Sequence, residues 1–292
     1  MPELPEVETV VRDLREKIVG KQILGLLYCD APKIIRGMSV KVFTKEIVGQ
    51  KIIRIERIAK NIIIHLSGGK IIHVHLKMTG HILIADSRFM IQDSRWQGEG
   101  LPKELEDPVN QFIHLVLELS GGLILAYSDM RKFGFWHLAK NAHIDAIEAK
   151  HGPEPLDNQK FTFRLFQSIL VVSNQKIKQV LLDQTKMAGI GNIYGDEILF
   201  LAGVRPTRIA KKLRKQEIKK IYENIRPTLI KAIKMRGTSI GDFRDTAGKK
   251  GYYQESRLVY GREGQPCPKC GTAIKRVKIA GRSSCYCPAC QR

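Results

Sequence analysis

The feature that most constrains this chain is a pair of cysteine knuckles near residue 280. The segments "CPKC" at 267–270 and "CYCPAC" at 285–290 place five of the six cysteines within the last 26 residues. Two Cys-x-x-Cys pairs at this separation are typical of structural zinc, because four thiolates complete a tetrahedral coordination shell. Such clustering also favours metal binding in a reducing cytosol over a disulfide framework. The spacing therefore predicts a small zinc-bound domain.

Five thiols compete for four coordination positions in this domain. A symmetric pair of knuckles, with 16 residues between them, is formed by Cys267, Cys270, Cys287 and Cys290. Cys285 is separated from the nearest of these by one residue, which is a poor geometry for two ligands of one ion. We therefore expect one zinc ion without a bond to Cys285. The sequence "GTAIKRVKIAGRSS" between the knuckles predicts two short strands and a turn, which form a basic hairpin suited to a nucleic-acid groove.

The basic charge of the chain is concentrated in its last third. The formal net charge is +20, and residues 205–292 carry 23 Lys and Arg against 6 Asp and Glu, a net +17. Residues 1–204 are close to neutral, with 26 basic and 23 acidic residues. This asymmetry indicates a polyanionic partner, with nucleic acid ahead of an anionic membrane. A generic solubilising surface is the weaker alternative.

Apolar patterns in the first half predict a helix followed by an antiparallel sandwich. Apolar residues recur at helical spacing after Pro5 and stop near Gly20. The segments "NIIIHLSGGKIIHVHLKM" and "FIHLVLELSGGLILAYSDM" both contain strand, Ser-Gly-Gly turn and strand. Two such hairpins with short β-branched runs around them favour a β-sandwich. The polar stretch 86–111 between them predicts an irregular surface loop.

Four helical patterns follow the sequence "HGPEPLDNQ", which we interpret as the start of a linker. The chain is therefore predicted to belong to the α+β class. We expect a sandwich domain over 1–150, a helical domain over 151–255 and a zinc hairpin over 256–292. No apolar run approaches 18 residues, and the first twelve residues resemble no signal peptide, so we expect a cytoplasmic protein without a membrane span.

The stretch "KMAGIGNIYGDEIL" contains small residues just ahead of a helical pattern. Gly189, Gly191 and Asn192 would leave the first backbone N–H groups of that helix accessible to an anion such as a phosphate. A plain turn between helices is the alternative for this segment taken alone. The basic surroundings and the zinc hairpin favour the phosphate interpretation.

Several segments together resemble the formamidopyrimidine-DNA glycosylase family of bacterial base-excision repair. They are "MPELPEVE", "HLKMTG", "SDMRKFG", "GIGNIYGDE", "VYGREGQPCPKCG" and "YCPACQR", and they occur in the family's order along residues 1–292. The resemblance implies a helix–two-turns–helix motif in the helical domain and a zinc finger after it. It also implies a bifunctional glycosylase and abasic-site lyase that acts, as a monomer, on double-stranded DNA containing a damaged base.

Under this resemblance the opening residues are catalytic. Excision leaves the sugar C1′ electron-poor, and an amine that forms an imine there promotes elimination of the flanking phosphates. An α-amino group has an unperturbed pKa of roughly 7.7–8.0, so it is appreciably neutral near pH 7. Pro2 becomes such an amine once Met1 is removed, with Glu3 as a proton relay and Lys60 as the second catalytic lysine. Glu6 is expected to help orient the bound substrate.

The resemblance also implies residues that contact the DNA. Excision requires the damaged nucleotide to leave the stack, so its place must be filled and its partner base held. Met78 and Phe133 are implied to fill the vacancy, and Arg131 is implied to hold the partner base. Lys132 is a further expected DNA contact; it stands where arginine is also common and keeps the charge without the bidentate fork. The residues implied for binding phosphates are Lys178, Asn192 and Arg282.

Two departures from the family pattern affect substrate choice. Lys77 stands where glycine is frequent, and "TSIGDFRDTAG" at 238–248, which corresponds to the family's lesion-reading loop, contains the acidic Asp242. We expect excision of oxidised purines, chiefly 8-oxoguanine and formamidopyrimidines. The alternatives are an endonuclease VIII-like enzyme for oxidised pyrimidines and a catalytically silent zinc protein that binds damaged DNA.

Overall fold

A computed structural model describes all residues from 1 to 292. The chain forms two compact units, and each of them is built from two separate stretches of sequence. The first unit comprises residues 1–146 and 235–254, and the second comprises residues 147–234 and 255–292. No helix is both long enough and apolar enough to cross a membrane.

The first unit consists mainly of two β-sheets with one long helix. Its elements are α1 (Leu4–Ile18), β1 (Ile23–Cys29), β2 (Ile35–Arg36), α2 (Val40–Ile47), β3 (Ile52–Ile58), β4 (Asn61–Leu66), β5 (Lys70–His75), β6 (His81–Asp86), β7 (Met90–Gln92), β8 (Arg95–Gln97), β9 (Ile113–Leu119), β10 (Leu123–Ser128) and β11 (Phe135–Lys140), with α3 (His143–Glu148) where the chain leaves the unit. One sheet has the order β1-β9-β10-β6, and the other has the order β2-β11-β5-β4-β3. All pairs are antiparallel except β2 with β11.

The main core of this unit combines α1 with residues from both sheets. Val7, Val10 and Leu14 recur on one helical face and are at most 1% exposed. Burying a Val or Leu side chain contributes about 1.5–3 kcal/mol, so this stripe fixes α1 firmly in the unit. The helix ends where Val19 turns extended and Gly20 adopts a φ of +86°. The predicted helix and both predicted hairpins, now β4–β5 and β9–β10, are confirmed.

Residues 86–111 differ from the irregular surface loop that the sequence predicts. They contain the small hairpin β7–β8 and a turn of 3-10 helix at Pro108–Gln111. Phe89, Trp96 and Leu105 are at most 4% exposed and form a second apolar cluster with residues from β6, β9 and β10. Polar residues surround these apolar residues in the sequence, so the composition of the stretch does not indicate that it packs against a sheet.

The second unit contains four main helices and a β-hairpin. They are α4 (Phe163–Val171), α5 (Ile177–Leu182), α6 (Asn192–Ala202), α7 (Lys215–Lys234), β12 (Lys275–Ile279) and β13 (Arg282–Tyr286). Ala280 and Gly281 both adopt positive φ and close the hairpin. The α+β class, the sandwich, the helical domain and the zinc-type hairpin are confirmed. The boundaries 1–150, 151–255 and 256–292 stay a prediction.

After α7 the chain returns to the first unit through residues 235–254. Arg236 Nη2 lies 2.5 Å from Asp13 Oδ2, and Thr246 Oγ1 donates to the same oxygen at 2.9 Å. Arg244 forms two hydrogen bonds with Asp107 at 2.8 and 3.0 Å. This segment, which includes the predicted lesion-reading loop, is therefore anchored to the first unit at several points.

Candidate functional site

The first turn of α1 holds its opening residues in a fixed arrangement. Pro2 and Glu3 are buried, whereas Met1 is 52% exposed. The N–H of Glu3 donates to Glu6 Oε2 at 2.7 Å, which is one half of a capping box. The other oxygen, Glu6 Oε1, accepts from the backbone of Thr238 at 2.8 Å. Glu6 therefore links the start of α1 to the returning segment.

Gly237 shows why this link needs a glycine. Its φ is +77°, and a Cβ added there would lie 2.8 Å from Glu6 Oε1. A larger residue would have both the disfavoured backbone conformation and a clash with the carboxylate. The position of the first turn therefore depends on a residue more than two hundred positions away.

Lys60 lies in the turn between β3 and β4 and is 7% exposed. Arg57 supports this turn by donating to the carbonyl of Ala59 at 2.9 Å and to Glu8 Oε2 at 2.8 Å. Burial opposes the ionisation of Glu8, but Arg57 and Arg12 together keep its pKa below the usual value. The ion pair thus attaches the Lys60 turn to the second turn of α1.

The two loops that carry the predicted DNA-contacting residues share one buried carboxylate. The β5–β6 loop spans 76–80, and the β10–β11 loop spans 129–134. Asp129 is fully buried and accepts hydrogen bonds from the Thr79 hydroxyl, from Tyr127 Oη at 3.0 Å and from the Gly134 N–H at 2.8 Å. Asp129 therefore fixes its own β10–β11 loop relative to the β5–β6 loop.

Tyr127 also packs tightly against a glycine from each loop. A Cβ on Gly134 would lie 1.7 Å from Tyr127 Oη, and a Cβ on Gly80 would lie 2.4 Å from it. Burial, followed by the nearby Asp129, raises the pKa of Tyr127 well above its usual value. The hydroxyl therefore stays protonated and continues to donate to Asp129.

The tips of these loops present exposed apolar side chains beside an arginine. Met78 is 42% exposed and Phe133 is 50% exposed. Arg131 Nη1 lies 3.1 Å from Met78 Sδ, and its guanidinium carbon lies 4.6 Å from the centre of the Phe133 ring. Lys132 is exposed and has a φ of +54°. The structure thus brings all four sequence-predicted residues of this group to one surface.

The second unit gathers the three predicted phosphate ligands at one cleft. Lys178, Asn192 and Arg282 line a cavity of about 260 Å³. Lys178 is 2% exposed, and its Nζ donates to Asp196 Oδ1 and to the carbonyl of Asn192, both at 2.6 Å. Asp196 also accepts from the Ser284 hydroxyl and from the Cys285 N–H. Arg282 is exposed at the start of β13.

The four predicted zinc ligands lie close together, with all sulfur atoms within 4.8 Å of one another. The Sγ atoms of Cys267 and Cys290 are 4.0 Å apart, and those of Cys270 and Cys287 are 3.5 Å apart. A tetrahedral site with Zn–S bonds of about 2.3 Å requires sulfur separations of about 3.8 Å, so this arrangement fits zinc. Cys285 lies outside the group, buried among apolar residues, as predicted.

Two residues that organise these sites have no role that the sequence predicts. Asp129 and Asp196 both lie inside quoted segments, "SDMRKFG" and "GIGNIYGDE". Nothing in residue type or spacing separates a buried hydrogen-bonding carboxylate from an exposed one. A glycine in the same short segment, Gly195 before Asp196 and Gly134 after Asp129, is the only signal that the sequence offers.

The fold and these sites define an α+β protein with a sandwich, a helix-rich unit and a four-cysteine zinc finger. Three family models match the chain in succession. They are the formamidopyrimidine-DNA glycosylase N-terminal domain at residues 1–136, the formamidopyrimidine-DNA glycosylase H2TH domain at 151–244 and the zinc finger found in FPG and IleRS at 264–292.

Known proteins resemble the chain over its whole length. A formamidopyrimidine-DNA glycosylase of Pelotomaculum thermopropionicum is 40% identical, covering 100% of this chain and 99% of the relative. One of Carboxydothermus hydrogenoformans is 41% identical, with 100% of both covered. A Lactococcus lactis Fpg in complex with abasic-site DNA has a TM-score of 0.85 at 34% identity, with 99% of both chains covered. A complex of the Lactococcus lactis protein with Fapy-dG containing DNA has a TM-score of 0.84 at 34% identity, covering 99% of this chain and 100% of that chain.

The chain therefore belongs to the formamidopyrimidine-DNA glycosylase family. It is a base-excision-repair DNA glycosylase, and its family is both a glycosylase and an abasic-site lyase. One structural zinc ion fits the four-cysteine group.

Proposed function

We propose that this enzyme excises oxidised purines, chiefly 8-oxoguanine and formamidopyrimidines, from double-stranded DNA. It then cleaves the strand at the abasic site by β,δ-elimination. The observation that carries this proposal is the buried first turn of α1, where Glu3 and Glu6 are fixed beside Pro2. The enzyme acts as a monomer on chromosomal DNA in the cytoplasm.

Pro2 supplies the nucleophile after removal of Met1. Its secondary amine attacks C1′ as the base leaves, and the resulting iminium ion draws electrons from the adjacent sugar position. Loss of a proton there breaks the bond to the 3′ phosphate, and a second elimination releases the 5′ phosphate. Glu3 relays protons between the amine and the sugar. Lys60 stabilises the developing negative charge from the turn that Arg57 supports.

The loop pair anchored on Asp129 prepares the DNA for this step. Met78 and Phe133 are exposed, apolar and adjacent to one guanidinium, as is needed to fill the vacancy left by a flipped nucleotide. Arg131 donates two hydrogen bonds to the O2 and N3 acceptors of the unpaired cytosine. Lys132 binds the adjacent phosphate as a point charge.

The cleft of the second unit holds the backbone of the same DNA. Arg282 offers an exposed guanidinium from the zinc hairpin, and Asn192 opens the helix α6, whose first N–H groups attract an anion. Lys178 lines the floor of this cleft as a phosphate ligand, with its ammonium also paired to Asp196. The net +17 of residues 205–292 agrees with a polyanionic partner. Solved complexes of the Lactococcus lactis relative contain abasic-site and Fapy-dG DNA.

Borohydride trapping on an 8-oxoguanine duplex tests the nucleophile. Reduction of the iminium should give a stable protein–DNA adduct whose crosslink maps to Pro2. An uncleaved N-terminal extension should abolish this adduct, whereas the same extension after Arg292 should leave it intact. Full strand cleavage by the protein with the blocked N-terminus would refute the mechanism.

Parallel excision assays test the substrate class. Duplexes containing 8-oxoguanine, a formamidopyrimidine or thymine glycol should be compared under single-turnover conditions. The two oxidised purines should be excised faster than thymine glycol. The opposite order would favour an enzyme directed at oxidised pyrimidines. Binding of the duplexes without any excision would favour a catalytically silent protein that binds damaged DNA.

A further inference from the structure

Three histidines form a group on the face of the five-stranded sheet that points away from the sandwich core. Trp136 and Leu138 on β11 belong to the core, so the intervening His137 lies on the opposite face. His73 on β5 is directly opposite His137 in the antiparallel register. His143 begins α3, and its ring centre lies 5.4 Å from that of His73 and 5.0 Å from that of His137.

Neighbouring groups fix which nitrogen of His73 carries the proton. Asn61 Nδ2 donates to the carbonyl of Ile58 at 2.9 Å, so its Oδ1 is the atom that faces His73. That oxygen lies 2.8 Å from His73 Nε2 and can only accept, so Nε2 carries the hydrogen in the neutral ring. The lone pair of His73 is therefore on Nδ1. Nδ1 lies 3.3 Å from His143 Nε2.

The same reasoning applies to His137. Its Nδ1 lies 3.2 Å from the carbonyl oxygen of Arg36, which can only accept, so Nδ1 carries the hydrogen and Nε2 carries the lone pair. Hydrogen bonds from the distal ring nitrogen to a carbonyl or amide oxygen are the usual outer-shell support of metal-bound histidines. Two of the three rings thus have the proton arrangement that metal ligation needs.

The distance between His73 Nδ1 and His143 Nε2 also suits a metal. Two imidazole nitrogens bound tetrahedrally at about 2.0–2.1 Å are separated by about 3.3–3.4 Å. The observed separation is 3.3 Å. In the metal-free protein His143 donates Nε2–H to His73. Metal binding through Nε2 places this hydrogen on Nδ1 of His143.

We propose that His73 and His143, with His137 as a third ligand, form a second metal site for a borderline divalent transition ion such as Co²⁺, Ni²⁺ or Zn²⁺. Imidazole donors suit these ions, and carboxylate-preferring ions such as Mg²⁺ should not bind. His137, whose ring centre lies 5.0 Å from that of His143, binds through Nε2 and keeps the hydrogen bond from Nδ1 to the Arg36 carbonyl. The site connects β5, β11 and the start of α3, and it is separate from the four-cysteine zinc site in sequence and in ligand type.

Cobalt titration of the zinc-loaded protein tests this site. One additional equivalent of Co²⁺ should bind, with visible absorption that lacks sulfur-to-metal charge transfer and with full retention of zinc. His143→Ala should weaken Co²⁺ binding at least about tenfold, because even loss of an outer-shell partner costs 10–100-fold. His137→Ala should weaken it in the same direction. Mg²⁺ at the same concentration should not compete.

His151→Ala is the matched control, because His151 is also half-buried but lies outside the group, with its Nδ1 2.7 Å from the carbonyl of Ile147. It should bind Co²⁺ like the unsubstituted protein. Zinc content and melting temperature should confirm that each variant is folded. The proposal fails if no additional equivalent binds. It also fails if a folded His143→Ala protein binds Co²⁺ as tightly as His151→Ala.

Discussion

Two buried aspartates organise the two regions that we propose contact DNA, and they do so by different means. Asp129 is 0% exposed and Asp196 is 1% exposed, and each accepts hydrogen bonds from a hydroxyl and from backbone N–H groups. Only Asp196 has a lysine partner, Lys178, at 2.6 Å. Asp129 is surrounded by neutral donors from its own loop and the adjacent one.

The two aspartates also differ in how far along the chain their hydrogen-bond donors lie. The donors to Asp129 are local, except for Thr79, which is 50 positions away. Asp196 holds Ser284 and Cys285, which are 88 and 89 positions away. Burial raises the pKa of Asp196, although Lys178 and the other donors lower it. Neutral donors therefore join the distant segment to Asp196, which also pairs with the nearby Lys178 ammonium, whereas Asp129 accepts from neutral donors alone.

The largest expected effect is that of Asp196→Ala. This change leaves the Lys178 ammonium buried without its counter-ion, which typically costs about 3–5 kcal/mol. Denaturant unfolding should show the loss. Glu223→Ala removes the exposed partner of Lys219 in the same unit and should cost about 0–1 kcal/mol. Equal stability of the two variants would show that the buried pair does not hold the second unit together.

Asp129→Ala should have the next largest effect. It leaves the Tyr127 hydroxyl and the Gly134 N–H buried without an acceptor, at about 1–3 kcal/mol for each such group. Two such groups sum to about 2–6 kcal/mol, so the loss of stability should be similar to that of Asp196→Ala, and single-turnover excision should fall strongly. Asp86→Ala, at the exposed end of β6, is the control. Normal excision by Asp129→Ala would show that the loop pair does not need its carboxylate.

Arg131→Ala tests what the loop pair recognises. A good bidentate contact to a base provides about 1–3 kcal/mol of discrimination, or roughly 5- to 150-fold. The cytosine-to-adenine preference opposite 8-oxoguanine should shrink by about that factor. Phe133→Ala should slow excision similarly against all four partner bases. An Arg131→Ala enzyme that keeps its full preference for cytosine would show that Arg131 does not recognise the base opposite the lesion.

Tyr127→Phe removes one neutral donor to Asp129 and should cost about 0.5–1.5 kcal/mol near pH 7. Because the folded pKa of Tyr127 is raised above about 10, its contribution is complete below pH 10 and is lost as the pH rises further. The parent protein should therefore lose more stability than Tyr127→Phe between pH 9 and 11. Parallel unfolding curves in that range would contradict the assignment.

Cys285→Ser should have the smallest effect, because the substitution retains the backbone N–H that donates to Asp196. Zinc content measured by atomic absorption should be unchanged. Cys290→Ser, in contrast, should lower zinc retention and DNA affinity more than it unfolds the sandwich. Loss of zinc from Cys285→Ser would refute the ligand assignment.

The elements with strong periodicity could be predicted from the sequence. Each of them follows from a local pattern. Apolar residues at helical spacing predict α1, Ser-Gly-Gly turns between apolar runs predict the two hairpins, and paired cysteines predict the zinc finger. The fold of residues 86–111 could not be predicted, because Trp96 and Leu105 are apolar residues scattered in a polar stretch. They find their partners only on the outer face of a sheet whose strands lie elsewhere in the chain.

The residues of the candidate site could be predicted from the sequence, but the residues that hold them in place could not. Motif resemblance identified Arg131 and Lys178, yet neither the burial of Lys178 nor the acceptor role of Asp129 follows from residue type. The hydrogen bond from Thr238 to Glu6 joins residues 232 positions apart. No local pattern contains information about a contact at that separation.

That separation determines when the enzyme can become active during its synthesis. Residues 235–254 complete the first unit, but the ribosome makes them only after the whole helical stretch 147–234. Contacts between such distant segments form slowly and late. A nascent chain that stops before Thr238 lacks the Thr238 N–H that donates to Glu6 Oε1, and one that stops before Arg236 lacks the guanidinium that pairs with Asp13. Chains that end before residue 236 should therefore lack the contacts that these residues make with α1, where the proposed nucleophile lies.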